Sequence, residues 1–164
     1  MKEKLITFTL DGENTTALPD ETLWQVAERE GIDIPHLCFL PDQGYRPDGN
    51  CRICMVHVEG EKSLVASCLR KPENGMVVDT RVPRAKEARN MVMELFLADQ
   101  PKRSKSPDPD SKFWEWSKKL GITQSRFPQR KINKIKIPDN SHPAMAVNLD
   151  SCIHCNLCVR ACRE

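Results

Sequence analysis

The chain opens on strict alternation of polar and apolar positions. In residues 4–10, Lys-Leu-Ile-Thr-Phe-Thr-Leu, the side chains of Ile6, Phe8 and Leu10 share one face, which predicts a strand buried on one side. Asp11-Gly12 is a turn pair, and residues 15–18 are expected to return as the second strand of a hairpin. Thr22, followed three residues later by Gln25, has the form of a capping box. It opens a helix with Leu23, Val26 and Ala27 as its apolar stripe and Gly31 at its end. Residues 35–51 are a loop whose Pro41, Gly44, Pro47 and Gly49 suit backbone bent around something rather than a flexible tether. Strands are expected at 53–59, 63–67 and 76–79.

From Pro83 to about Ala98 the period changes to that of a helix, with Ala88, Met91, Val92 and Leu95 as its stripe and Met93 and Phe96 widening it. A proline-containing linker follows to about Asp110. Residues 112–120 then predict a short amphipathic helix in which Phe113, Trp114 and Trp116 are packing anchors. Residues 121–143 are expected to be mostly irregular, with a short strand over 131–137. The fold class is α+β: strand, strand, helix and then further strands fit a β-grasp domain, in which a mixed sheet wraps across one helix. The expected organisation is a β-grasp domain at 1–82, a connecting helix at 83–98, a linker and packing segment at 99–143, and a separate tail at 144–164.

Composition narrows the setting. A length of 164 residues allows one ordinary domain, or a small one with an extension. No apolar run approaches the roughly 18 residues that span a bilayer. Met1-Lys2-Glu3-Lys4 runs straight into the strand pattern rather than into a signal peptide, so a cytoplasmic location without a transmembrane segment is expected. The net charge of +2 is unevenly spread. Residues 1–50 carry ten acids against four bases, and residues 101–137 carry eleven bases against three acids. That basic stretch lacks interleaved stacking aromatics, so it reads as a solvated face or a docking surface for an acidic partner, not a nucleic-acid site.

All eight cysteines fall into two ligand-like patterns. Cys38, Cys51, Cys54 and Cys68 read C-x12-C-x2-C-x13-C, and Cys152, Cys155, Cys158 and Cys162 read C-x2-C-x2-C-x3-C. A disulfide framework would imply secretion, and tight C-x2-C pairs make poor disulfides but good chelates. Iron–sulfur clusters fit both spacings, and tetrahedral zinc is the competing metal. The first quartet suits a [2Fe–2S] cluster: a curled loop supplies three thiolates and the end of the next hairpin supplies the fourth, with Gly44 and Gly49 letting the backbone approach. The second is the bacterial ferredoxin run for [4Fe–4S], in which the fourth cysteine serves a different cluster from the first three. The proline that usually follows is replaced by Arg163.

The stretches His36-Leu37-Cys38, Gly49-Asn50-Cys51-Arg52-Ile53-Cys54-Met55-Val56 and Ala66-Ser67-Cys68 resemble the [2Fe–2S] domain of the largest peripheral subunit of respiratory NADH dehydrogenase. The same domain occurs in NAD-reducing hydrogenase diaphorase small subunits and in the α subunit of NAD-dependent formate dehydrogenases. In many of these relatives the next helix leads to a site of one histidine and three cysteines for a [4Fe–4S] cluster. No cysteine lies between Cys68 and Cys152 here, which argues against the respiratory enzyme. His142-Pro143-Ala144-Met145 and Asn148-Leu149-Asp150-Ser151-Cys152-Ile153-His154-Cys155 resemble the ferredoxin-like insert of formate dehydrogenase α subunits.

The resemblance implies an N-terminal piece of such a subunit. It would relay electrons between a molybdenum or tungsten centre and a flavin/NAD diaphorase partner, with the tail cluster completed only by ligands further downstream. No complete catalytic site is expected within the chain. Arg52, between two ligands, is a candidate to favour the reduced state. Of the histidines, His36 is either a hydrogen-bond partner near the cluster or a packing residue. His57 and His154 are expected at the surface and His142 in a loop. The alternatives are a stand-alone ferredoxin-type carrier, the electron-transfer subunit of a NAD-reducing hydrogenase or NADH dehydrogenase, and a zinc-held interaction protein.

Overall fold

The structure is a computed structural model that describes residues 5–41, 46–129 and 138–163. It divides into two compact units, one made of residues 1–89 with 156–164 and the other of residues 90–155. This division differs from the expected segments, since the tail 144–164 is shared between the two units.

In the first unit, β1 (Ile6–Leu10) and β2 (Glu13–Ala17) form the expected hairpin, with Leu10 opposite Glu13. Asp11 and Gly12 both have positive φ, at 51° and 90°, the geometry that matches a two-residue turn to strand twist. The sheet continues through β3 (Met55–Val58), β4 (Val65–Ala66) and β5 (Val77–Asp79), in the order β2-β1-β5-β3-β4. β1 and β5 run parallel and the other pairs are antiparallel, giving the mixed sheet the pattern predicted. Helix α1 (Leu23–Arg29) has both halves of its capping box, Gln25 N–H to Thr22 Oγ1 at 3.3 Å and Thr22 N–H to Gln25 Oε1 at 2.9 Å. It ends where Gly31 takes φ 73° and the Ile32 N–H donates back to the Ala27 carbonyl. Its buried face is broader than the expected stripe, because Trp24 joins Leu23, Val26 and Ala27 against Phe8, Leu10, Val56 and Val78.

Helix α2 spans Pro83–Asp99, in place of the expected end at Ala98. Its expected stripe is corrected by the burial: Met91 and Leu95 are 44% and 48% exposed, whereas Ala85, Arg89, Met93 and Leu97 are buried at every fourth position. A stripe drawn through apolar residues alone passes over the true inner face. Arg89 belongs to that face because its guanidinium is anchored by backbone carbonyls there, Nε donating to Met55 O at 2.9 Å and Nη2 to Thr80 O at 2.7 Å. Burial lowers its pKa from the ordinary arginine value.

In the second unit, α3 (Lys112–Lys119) buries Phe113, Trp114 and Trp116, the anchors expected. Trp114 Nε1 donates to Ser106 Oγ at 3.2 Å, and Gly121 at φ 70° ends the helix. β6 (Asp139–His142) pairs with β7 (Met145–Val147) in a hairpin whose first strand stands where irregular structure or loop was expected, so His142 lies in a strand. Both strands are short and wholly exposed, so no burial alternation announces them. The strand expected over 131–137 lies outside the described residues.

The same unit contains a forked ion pair: Arg126 Nε and Nη2 donate to Glu94 Oε2 and Oε1 at 2.6 and 3.0 Å. Hydrogen bonding from Arg126 holds the Glu94 carboxyl below its ordinary value of 4.5. The pair therefore stabilises folding fully above that value, and the contribution is lost as pH falls through the lower folded value. In denaturant unfolding, the advantage of the wild type over Glu94→Gln should be present near pH ~7 and should shrink toward pH ~3. An advantage undiminished in acid would contradict the pairing.

Candidate metal centre

Each of the first four cysteines is held by a different local device. Cys38 sits between His36 and Phe39, whose rings meet Trp24 edge-on at centroid distances of 4.4 and 5.3 Å. Trp24 Nε1 donates to Ile34 O at 3.0 Å, tying the start of the loop to α1. His36 thus does packing work, and its Nδ1 lies 3.4 Å from the Ile34 carbonyl. Cys51 and Cys54 flank Arg52, whose φ of 54° turns the chain between them and sends its side chain to the surface. Solvent screens a charge placed there, which weakens the expected influence of Arg52.

Cys68 lies on the turn after β4. Ser67 Oγ donates to the Cys54 carbonyl at 2.7 Å, and the first amides of α1 close the other side: Leu23 N–H donates to Arg70 O and Trp24 N–H to Ser67 O. Two amides left unpaired by the helix are thereby satisfied by the turn that carries Cys68. Gly49, at φ 65°, lets Leu69 approach, since a Cβ there would fall 2.3 Å from Leu69 Cδ1. Gly44 is outside the described residues.

These devices bring all four cysteines into the interior as free thiols. The Cys51 N–H points at Cys38 Sγ at 3.4 Å, and Cys54 Sγ lies 3.4 Å from Cys68 Sγ. Cys38 and Cys51 also interact through their side chains, so the thiols form two facing pairs, Cys38 with Cys51 and Cys54 with Cys68. Sulfur–sulfur hydrogen bonding with Cys38 and with Cys68 lowers Cys51 and Cys54 to about 7, and the same bonding pushes Cys38 and Cys68 upward. Among the described residues, no group of three or more His, Cys, Asp and Glu side chains converges on a place for a single ion. Two pairs of buried sulfurs, with a backbone amide aimed at one of them, fit the ligand set of a two-iron cluster.

The second quartet is placed differently. Cys152 and Cys155 are half-buried in the second unit, whereas Cys158 and Cys162 are exposed in the first, on and just after α4 (Leu157–Ala161). The His154 N–H points at Cys152 Sγ at 3.4 Å, and its side chain is exposed, as expected. His57 is half-buried on β3. Two arginines near the first site escape sequence reasoning, Arg89 and Arg160. Both are charged residues with buried side chains, a property that spacing does not reveal.

Comparison with known proteins agrees with this geometry. Residues 3–83 match the family described as "2Fe-2S iron-sulfur cluster binding domain". The chain is 32% identical over 158 residues to the NADH-ubiquinone oxidoreductase 78 kDa subunit of Candida albicans, covering 94% of this chain and 22% of that protein. It is 31% identical over 167 residues to an NADH-quinone oxidoreductase subunit of Rhizobium meliloti, covering 98% of this chain and 19% of that one. A chain in a crystal structure of NAD+-reducing [NiFe]-hydrogenase in the H2-reduced state superposes with a TM-score of 0.82 at 30% identity, over 95% of this chain and 65% of that one.

Residues 3–83 are therefore a [2Fe–2S] cluster-binding domain of mixed α+β architecture. The chain is related to subunits of NADH-quinone oxidoreductases and of NAD-reducing hydrogenases. It spans about a fifth of the length of these curated relatives, which are 22% and 19% covered. No helix among the described residues is long and apolar enough to cross a membrane.

Proposed function

We propose that Cys38, Cys51, Cys54 and Cys68 hold the [2Fe–2S] cluster, one iron for each facing pair, and that the chain is a one-electron relay within an NAD-linked oxidoreductase. The observation that carries this reading is the arrangement of four buried thiols as two pairs inside the domain. When bound, such a cluster takes up and releases single electrons. The surrounding residues exclude water and fix the sulfurs: Trp24 from the loop side, Ser67 from the turn.

The partner proposed is a flavin/NAD diaphorase subunit in the cytoplasm. For the other terminus we propose a molybdenum or tungsten centre of the formate dehydrogenase type. Residues 142–155 and the absence of cysteine between Cys68 and Cys152 support it. The relatives above favour a second reading, in which the chain serves a NAD-reducing hydrogenase or NADH dehydrogenase. In either setting Cys152, Cys155, Cys158 and Cys162 are proposed as [4Fe–4S] ligands, joined by thiolates beyond these four. A direct test supplies NADH to the cluster-loaded chain with and without a flavin-containing NADH-oxidising subunit from the same organism. Visible absorption of the cluster should bleach only when that subunit is present. Equal bleaching by NADH alone, or none with the subunit, would refute the relay.

A further inference from the structure

Helix α4 contributes one deeply buried side chain to the first unit. Arg160 is 2% exposed, while Cys158, Val159, Ala161 and Cys162 around it are exposed. Its guanidinium reaches back more than a hundred positions in sequence to one segment of chain. Nη2 donates to the Cys38 carbonyl at 3.3 Å, Nη1 donates to the Arg46 carbonyl, and Nη1 lies 3.4 Å from Asp48 Oδ1. Burying a guanidinium is costly unless its donors are used, and these three acceptors come from the loop that carries the first cysteine.

We infer that Arg160 is a positioning residue for the [2Fe–2S] site, clamping the Cys38 loop and fixing a positive charge beside it. This rests on the proposed assignment of Cys38 as a ligand. The fork of the guanidinium matters because it engages two carbonyls at once, which holds the loop by direction as well as by charge. Its charge matters because reduction adds one negative charge to the site, and burial leaves that interaction weakly screened. Asp48 is partly exposed and Arg46 lies 4.0 Å from it on the outer side, so solvent reaches the opposing carboxylate while Arg160 stays covered. The more obvious arginine, Arg52 between two cysteines, faces solvent and has no such shelter.

The test uses the full chain with its cluster reconstituted, comparing wild type, Arg160→Met and Arg160→Lys by EPR-monitored redox titration and by the rate of cluster loss to a chelator. Arg160→Met should have a lower midpoint potential than wild type. It should also lose its cluster roughly tenfold faster, the factor expected for one charge-assisted hydrogen bond. Arg160→Lys should restore most of the potential while holding the cluster less firmly, since it keeps the charge and loses the fork. A wild-type potential in Arg160→Met, or a potential in Arg160→Lys as low as in Arg160→Met, would overturn the inference. If Arg160→Met retains no cluster, the Arg160→Lys potential decides: near wild type supports the role, and a lowered value overturns it. Failure of the wild type itself to take up a [2Fe–2S] cluster would instead refute the ligand assignment, and this inference with it.

Discussion

Replacing Trp24 with alanine is expected to destabilise the first unit by about 4 kcal/mol, in the range for deleting a buried indole. The indole is 3% exposed, so its removal leaves a cavity in the main core. Three further losses act on the loop. The Ile34 carbonyl loses its donor, and His36 and Phe39 lose the ring against which each stands edge-on. Because those residues flank Cys38, the variant should also take up less cluster than wild type under matched reconstitution. Trp24→Phe separates the effects: it keeps most of the ring contact and gives up the hydrogen bond, a loss of about 1 kcal/mol. Denaturant unfolding followed by circular dichroism measures both. A change below about 1 kcal/mol for the alanine variant would show that the ring is not the support described.

Arg89→Met should cost about 3 kcal/mol, because it strands two carbonyl groups whose partner has gone. Those carbonyls belong to Met55, directly after a proposed ligand, and to Thr80. The second is already part of a small polar knot: Thr80 N–H and Oγ1 each donate to the Asp11 carboxylate at 2.6 Å. Arg89 therefore joins the start of α2, the edge of the cysteine loop and the turn of the first hairpin. Arg89→Lys keeps the charge but can satisfy the two directions less well, and should fall between wild type and methionine. Unfolding midpoints that rank methionine equal to wild type would remove Arg89 from the account.

What can be read in the sequence is what local chemistry dictates. The Asp11-Gly12 turn and the Thr22–Gln25 capping box are contained in a few neighbouring residues, and both stand as predicted. The mixed sheet follows from the strand order. The buried face of α2 does not follow, because an apolar count passes over Arg89 and chooses Met91 and Leu95, which lie outside. Trp24 escapes for a related reason: its neighbours on the helix satisfy the stripe without it, and its indole is needed by a loop ten residues on. Arg160 lies further still from inspection. Its partners are at Cys38, Arg46 and Asp48, and no spacing rule joins the two ends of the chain. The exposed β6–β7 hairpin carries too little buried surface to imprint a period on the sequence.

The relay and the positioning role of Arg160 both depend on one [2Fe–2S] cluster being held by the first quartet of cysteines. Low-temperature EPR with metal analysis measures this on the full chain after anaerobic reconstitution and reduction. Wild type and Cys158→Ala should give the signal of a reduced [2Fe–2S] cluster with iron as the bound metal, and Cys54→Ala should not. Zinc in place of iron, or a signal that survives Cys54→Ala and vanishes in Cys158→Ala, would contradict it.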